Sequence, residues 1–286
     1  MDTTYCIYTD KEISIDKSNW EHIIPLGLGG CDDFCIRVDR DKNSALGSHI
    51  DGKLSNDFLI SSLRRHKDFR GHSGKIPETK FKKSKLSATD KPIHVTFKKE
   101  KIQIYDPIER RELLENETKG VTFSSTIKFE KDIRMLFTAK VLLAGGYFVY
   151  GKTFKDYADH SSLRKLMNYK LTETDETIKD LPLGVIDPFH EIREEDKGMK
   201  GVFEMICKAT DSSCAIFLLC TENIIGSVGV GGQYIGSINF KANTEHFPND
   251  DDFRLGHVVG IQNKELRRSS FYHMVELLHD KLQKEK

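Results

Sequence analysis

The sequence lacks the marks of several protein classes. Its longest unbroken apolar run, around Ala215 to Cys220, is seven residues when Cys214 is counted with it, against the ~20 that a membrane-spanning helix needs, so no membrane partner is expected. The opening residues, Met1 to Asp10, carry neither a basic region nor a long apolar segment, and no signal peptide is expected. Neither sign of charge is in excess: Lys plus Arg and Asp plus Glu number 44 each, so only the distribution of charge can speak for an anionic partner. Six cysteines in 286 residues are too sparse for a disulfide framework, which points to a reducing cytoplasm. The glycine-rich stretch from Gly226 to Gly236 has no G-x-x-x-x-G-K-[ST] pattern and runs into strand-like residues, Tyr234 to Phe240. It reads as a β-turn rather than a phosphate cradle. The acidic run Asn249 to Asp252 lacks the spacing of a calcium loop, and no internal repeat is present. With 38% hydrophobic and 31% charged residues, the composition is that of a folded, soluble chain rather than a disordered one.

What is there is concentrated between Trp20 and Leu54. Glu21 and His22 precede a short apolar run (Ile23, Ile24), Pro25 and a glycine turn containing Gly27, Gly29 and Gly30. Asn43 follows His22 by 21 residues and opens a segment whose apolar residues, Leu46, Ile50, Leu54 and Phe58, recur every fourth position. That spacing predicts a helical face. Strand, loop and helix would bring a carboxylate, an imidazole and an amide oxygen together. These groups suit hydrolysis of a phosphodiester. An imidazole, with its ordinary pKa of about 6.5, takes a proton from water near neutral pH. Hard oxygen donors such as Glu21 and Asn43 suit one Mg²⁺ or Mn²⁺, which offsets charge developing on the phosphate and the leaving oxygen.

Two stretches, E-H-I-I-P-L-G-L-G-G (Glu21 to Gly30) and N-S-A-L-G-S-H-I-D (Asn43 to Asp51), carry a resemblance to the HNH endonucleases. It covers roughly the first fifth of the chain. The resemblance implies a core of a two-stranded hairpin and one helix around a single metal ion. It implies Glu21 as a metal ligand, His22 as the general base and Asn43 as the residue that completes the catalytic set. The last ligand falls near His49 or Asp51. On a regular helix Asp51 lies about 80° around from Asn43, and His49 about 120° on the other side, so Asp51 is the better candidate.

Many HNH relatives frame this core with two C-x-x-C pairs. The equivalent positions here are Cys6 and Thr9, then Asp39 and Lys42. One thiolate of four survives, and a structural zinc needs four good ligands, so none is expected. Cys31 and Cys35 read as ordinary buried thiols. The core must be held by packing, with Tyr5, Ile7, Trp20 and Phe34 the expected contributors.

The fold class expected is α+β, in three parts: a nuclease core over 1–62, a basic connector over 63–120 and a larger α+β domain over 121–286 that selects a target or regulates. Between Arg64 and Lys101 thirteen Lys or Arg face four Asp or Glu. Arg64, Arg65, Lys67, Arg70, Lys80, Lys82, Lys83 and Lys85 are the candidate phosphate contacts, giving salt-dependent, sequence-blind affinity. The alternative for this segment is a solvated linker. Ile93 to Phe97 and Lys101 to Tyr105 alternate as a hairpin would. Further on, Val121 to Phe129, Leu183 to His190, Gly201 to Thr210 and the buried run Ala215 to Cys220 read as strands. Asp132 to Gly145, Asp156 to Asn168 and Leu266 to Leu282 read as helices. Lys140 and Arg164, on such helices, read as solvated charges rather than phosphate ligands.

Two functions follow. The first is a metal-dependent endonuclease acting on DNA, with RNA as a variant substrate, in restriction or another anti-phage role. One such site cuts one strand at a time, so double-strand cleavage would call for a homodimer or sequential nicks. The second is a non-catalytic nucleic-acid-binding or regulatory protein on a decayed core.

Overall fold

The computed structural model describes residues 2–98, 101–127, 129–170, 178, 180–189 and 192–284. Lys99 and Glu100 of the charge count, and His190 of a predicted strand, lie outside the described residues. The chain is α+β. It divides into two compact units, Met1–Leu54 with Lys131–Lys286, and Ser55–Glu130. These bounds differ from the three segments read from sequence. The N-terminal core shares one unit with the C-terminal region, and the middle segment is a folded body with its own apolar interior.

In the first unit, β1 (Thr3–Cys6) and β2 (Lys11–Ser14) make one antiparallel hairpin, and β3 (Ser18–His22) and β4 (Cys35–Asp39) make a second. Strand β4 runs directly into α1 (Arg40–Leu46). Asp39 sets that start by accepting the Lys42 N–H at 2.9 Å, as an N-cap aspartate does. Gly47–Asp51 then widen into a π-helical turn, in which the Gly52 N–H donates to the Gly47 carbonyl, before α2 (Gly52–Asn56). The wider turn re-aims His49 and Asp51 relative to a regular helix.

The second unit holds α3 (Phe58–Lys67), α4 (Glu115–Thr118) and five antiparallel strands. These are β5 (Thr79–Leu86), β6 (Pro92–Phe97), β7 (Ile102–Asp106), β8 (Arg111–Glu112) and β9 (Phe123–Ser125), in the order β8-β7-β6-β5-β9. The β6–β7 pair is the hairpin expected from its alternation. Ile93, Val95 and Ile104 form the buried cluster, flanked by Phe81, Leu86, Phe97, Leu113 and Phe123. Of the strand read over 121–129, Phe123–Ser125 form β9, and Lys128 lies outside the described residues.

The first unit resumes with α5 (Lys131–Tyr150), α6 (Lys152–Tyr157) and α7 (His160–Met167), so the helix read over 156–168 is broken at Ala158. After β10 (Leu183–Ile186) comes α8 (Glu194–Thr210), then β11 (Ser213–Leu219), β12 (Asn223–Val230), β13 (Gln233–Lys241), β14 (Gly256–Gln262), β15 (Glu265–Ser270) and α9 (Phe271–Lys284). The strands form an antiparallel sheet in the order β10-β13-β12-β11-β14-β15. The apolar run read as a central strand is β11, inside that sheet. Residues 201–210 are helical, against the strand reading. Glu194, Glu195 and Asp196 in the first turn favour a helix start, and Phe203, Ile206 and Cys207 fall on one buried face. The first part of the helix read over 266–282 is strand β15.

Alternation along β11 explains the layering. Cys214 and Ile216 join Phe203, Ile206 and Cys207 of α8 and Phe271 of α9 in one cluster. Phe217 turns the other way, its ring edge-on to Tyr150 of α5 at 5.8 Å between centroids. Helix α5 lies between the sheet and the N-terminal hairpins. The Phe148 ring meets Phe34 at 5.0 Å, and Tyr147 meets Tyr5 at 5.5 Å. Residues Asp132–Tyr150 are long and apolar enough to cross a bilayer by length and composition, although Arg134 and Lys140 break any unbroken run. Most of that window (78%) is buried inside the protein, as in a core helix.

Candidate active site

Strand alternation sends neighbours Glu21 and His22 to opposite faces of β3, and the two have different partners. Glu21 points inward. Its Oε1 lies 2.5 Å from Lys140 Nζ, and the same ammonium is 2.6 Å from Asp51 Oδ2. Lys140 is wholly buried, and the two carboxylates nearly so. The solvated charge read at Lys140 is thus an internal ion instead. Burial by itself would strip the Lys140 proton, but the Asp51 and Glu21 carboxylates outweigh it and raise the pKa. Burial pushes Asp51 up to about 6, with the Lys140 charge pulling down and Glu21 pushing up. The phenol of Tyr8, fully buried beside the two acids, is held well above its usual pKa by burial and by their charges. Asp51 Oδ1 is buried with no hydrogen-bond partner.

His22 lies on the other face, at the end of β3, with Nε2 2.8 Å from Asp32 Oδ1. A carboxylate acceptor makes Nε2 the donor and leaves the lone pair on Nδ1. The glycine turn delivers Asp32. Gly29 adopts φ 82°, and a Cβ on Gly30 would stand 1.7 Å from the Ile24 carbonyl oxygen, so only glycine allows the chain to turn back this closely. Trp20, on the same face as His22, is 59% exposed rather than part of the core. The Arg37 guanidinium lies over its ring at 4.9 Å. Ile7 and Phe34 are fully buried, as expected.

Asn43 sits in α1 and donates from Nδ2 to Asn19 Oδ1 at 3.1 Å. Asn19 shares the Glu21 face of β3. The structure therefore gathers Glu21, Asn43 and Asp51 on the inner side of the hairpin, with His22 on the outer side. His49 Nε2 is 3.4 Å from the Tyr169 carbonyl oxygen, away from this group. The four positions equivalent to the zinc cysteines adjoin: the Asp39 N–H reaches Cys6 Sγ at 3.2 Å, and Asp39 caps Lys42. Arg164 steadies the turn through the Ile7 carbonyl at 2.9 Å and Asp10 at 3.3 Å. Cys31 is buried, whereas Cys35 is partly exposed.

A Mg²⁺ or Mn²⁺ ion does not fit at Glu21 and Asp51 in this arrangement. Such an ion binds carboxylate oxygens at ~2.1 Å in octahedral geometry and keeps several waters. Here the ammonium of Lys140 already touches one oxygen of each acid, and its burial leaves no room for a hydrated ion. Among the described residues no three His, Cys, Asp or Glu side chains converge as a metal site elsewhere.

The basic candidates belong to the second unit. Arg64, Arg65 and Lys67 fall in the last turn of α3, where the helix dipole favours cations. Arg64 donates to the Ser55 carbonyl at 3.1 Å, and Arg65 to that of Lys98 at 3.2 Å. Exposed ion pairs join Arg70 to Asp68, Lys80 to Glu78 and Lys85 to Asp90 at 2.7, 2.9 and 3.0 Å. Lys82 and Lys83 have no ion-pair partner among the described residues. With Lys80 they line a groove that also presents Phe58, Ile76 and Ser125.

Sequence reasoning missed Lys140 and Tyr8 as partners of Glu21 and Asp51, and Asp32 as the partner of His22. Asp32 had a local signal, since it closes the glycine turn that follows the histidine. No family model, no curated protein and no solved structure matches this chain.

Proposed function

We propose that the chain is an endonuclease that hydrolyses phosphodiester bonds in nucleic acid, with His22 of its HNH-like hairpin and helix as the base. One observation carries the reading: a two-stranded hairpin running directly into a helix holds His22 at its strand end, oriented by Asp32 at 2.8 Å. An imidazole held this way has the orientation that general-base catalysis needs. The DNA backbone is gripped through Lys82 and Lys83, whose charge complements phosphate, in the groove where Phe58 and Ile76 offer apolar contact to bases. RNA presents the same backbone charge. Restriction or another anti-phage role in the cytoplasm suits such an enzyme.

The buried Lys140 favours a second reading, a nucleic-acid-binding protein without hydrolysis. It pairs with both acids that an HNH enzyme would use for its metal. Relaxation of a supercoiled plasmid by wild type and His22→Ala, each in Mg²⁺, Mn²⁺ or EDTA, separates the two. Nicking by wild type that the variant loses supports hydrolysis with His22 as base. No nicking of plain DNA, modified phage DNA or RNA, together with retained binding, supports the second reading.

A further inference from the structure

We infer that Lys140 is the resident cation of the Glu21–Asp51 centre, so that this hairpin–helix core is built around an internal ammonium ion and not a divalent metal. Three observations carry this. The ammonium is 2.5 and 2.6 Å from one oxygen of each acid, a spacing of charge-assisted hydrogen bonds. The acids come from different elements, Glu21 from β3 and Asp51 from the π-helical turn, and the lysine from α5. One cation therefore pins three segments, as a structural metal would. Lys140 also has no way out. Its neighbours Ala139, Val141, Leu142 and Leu143 are all fully buried, and α5 is packed between the sheet and the hairpins, so the ammonium cannot swing aside to admit another ion.

Charge balance sharpens the argument. Two carboxylates and one ammonium leave the centre with one negative charge in excess, and Asp51 Oδ1 has no donor. The pair is thus a good cation site that the chain has filled from its own sequence. Removing the lysine would leave two buried, uncompensated acids, the situation in which a divalent ion gains most. The inference does not depend on the nuclease reading, because its test needs no substrate.

The test is thermal unfolding of wild type, Lys140→Ala and Lys140→Ala/Glu21→Gln in 1 mM Mn²⁺ and in EDTA, with Mn²⁺ binding followed by electron paramagnetic resonance. Wild type should show the same Tm in both media and no Mn²⁺ bound at this centre. Lys140→Ala should lose roughly 10 °C in EDTA and recover part of it in Mn²⁺, and Glu21→Gln in the double variant should abolish the recovery. Stoichiometric Mn²⁺ binding by wild type that Glu21→Gln removes would overturn the inference. So would a Lys140→Ala protein with the wild-type Tm in EDTA. Where Lys140→Ala does not fold, the wild-type Mn²⁺ titration and its Glu21→Gln control decide alone.

Discussion

Lys140 Nζ meets Asp51 Oδ2 at 2.6 Å across 89 residues of sequence, and Glu21 meets the same ammonium from the hairpin side. The acids outnumber the cation, so the group on the margin is Asp51, whose carboxyl is pushed up to about 6, first by burial.

That shift has a defined consequence for stability. In the unfolded chain Asp51 ionises at its ordinary value of 3.8, in the folded protein at about 6. Between these the folded state keeps a proton the unfolded state has lost, so this group's contribution falls as pH rises from about 4 to 6. Asp51→Asn cannot ionise and leaves a balanced Lys140–Glu21 pair. Urea unfolding from pH 4 to 7 should show wild type losing on the order of 2 kcal/mol relative to the variant across that window. At pH 7 Asp51→Asn should be at least as stable as wild type. A variant less stable at pH 7 than at pH 4, relative to wild type, would contradict the assignment.

The glycine turn allows a second test with an internal control. Gly30→Ala forces a Cβ to within 1.7 Å of the Ile24 carbonyl oxygen, and backbone cannot yield as a side chain tip does. The expected cost is about 1–3 kcal/mol, together with loss of the Asp32 contact to His22. Gly47→Ala is the control. That residue has ordinary helical angles and no atom within 4 Å of an added Cβ. It should be neutral or gain about 0.4–1 kcal/mol. Chemical denaturation measures both, and the His22 ring resonances report the turn.

How much of this was legible in the sequence depends on the range over which each signal acts. The glycine turn and the helix carrying Asn43 follow from local spacing, as do β11 and the β6–β7 pair, whereas the pairing of β3 with β4 is expected only through the HNH resemblance. Residues 201–210 misled because Val202, Phe203 and Ile206 are strand formers over a short window. Their helical register shows only when the acidic first turn at Glu194 is included. The central length of Trp20 suggested a core residue, but the outward pleat of β3 exposes it. Lys140 had no local signal at all: its partners lie 89 and 119 positions away, and a lone lysine in a helix is ordinarily solvated. Pairing of that kind is a property of the packed unit.

The groove of the second unit should reveal itself through salt. Lys82 and Lys83 have no ion-pair partner among the described residues, whereas Lys80 and Lys85 are already paired. If the first two meet phosphates, Lys82→Ala/Lys83→Ala should weaken binding alike for all DNA sequences. It should also lower the slope of log K against log salt by about 2. Fluorescence anisotropy from 50 to 200 mM salt measures this, and an unchanged slope would remove the groove from the interface. Lys85→Ala should change the slope little.

The hydrolytic reading stands or falls with the His22–Asp32 pair. If His22 takes the proton from the attacking water, His22→Ala should lower the rate of nicking by about 10²–10⁴ while leaving DNA affinity within a few-fold. Asp32→Asn keeps the shape of the turn but replaces a carboxylate acceptor with an amide, which can present either oxygen or N–H to the ring. The imidazole is then no longer fixed in one tautomer, and an intermediate loss of rate is expected with binding intact. The double variant should be no slower than His22→Ala alone, because Asp32 acts only through the ring. Additive losses would place Asp32 in some other role, and full activity in His22→Ala would end the assignment of His22 as the base.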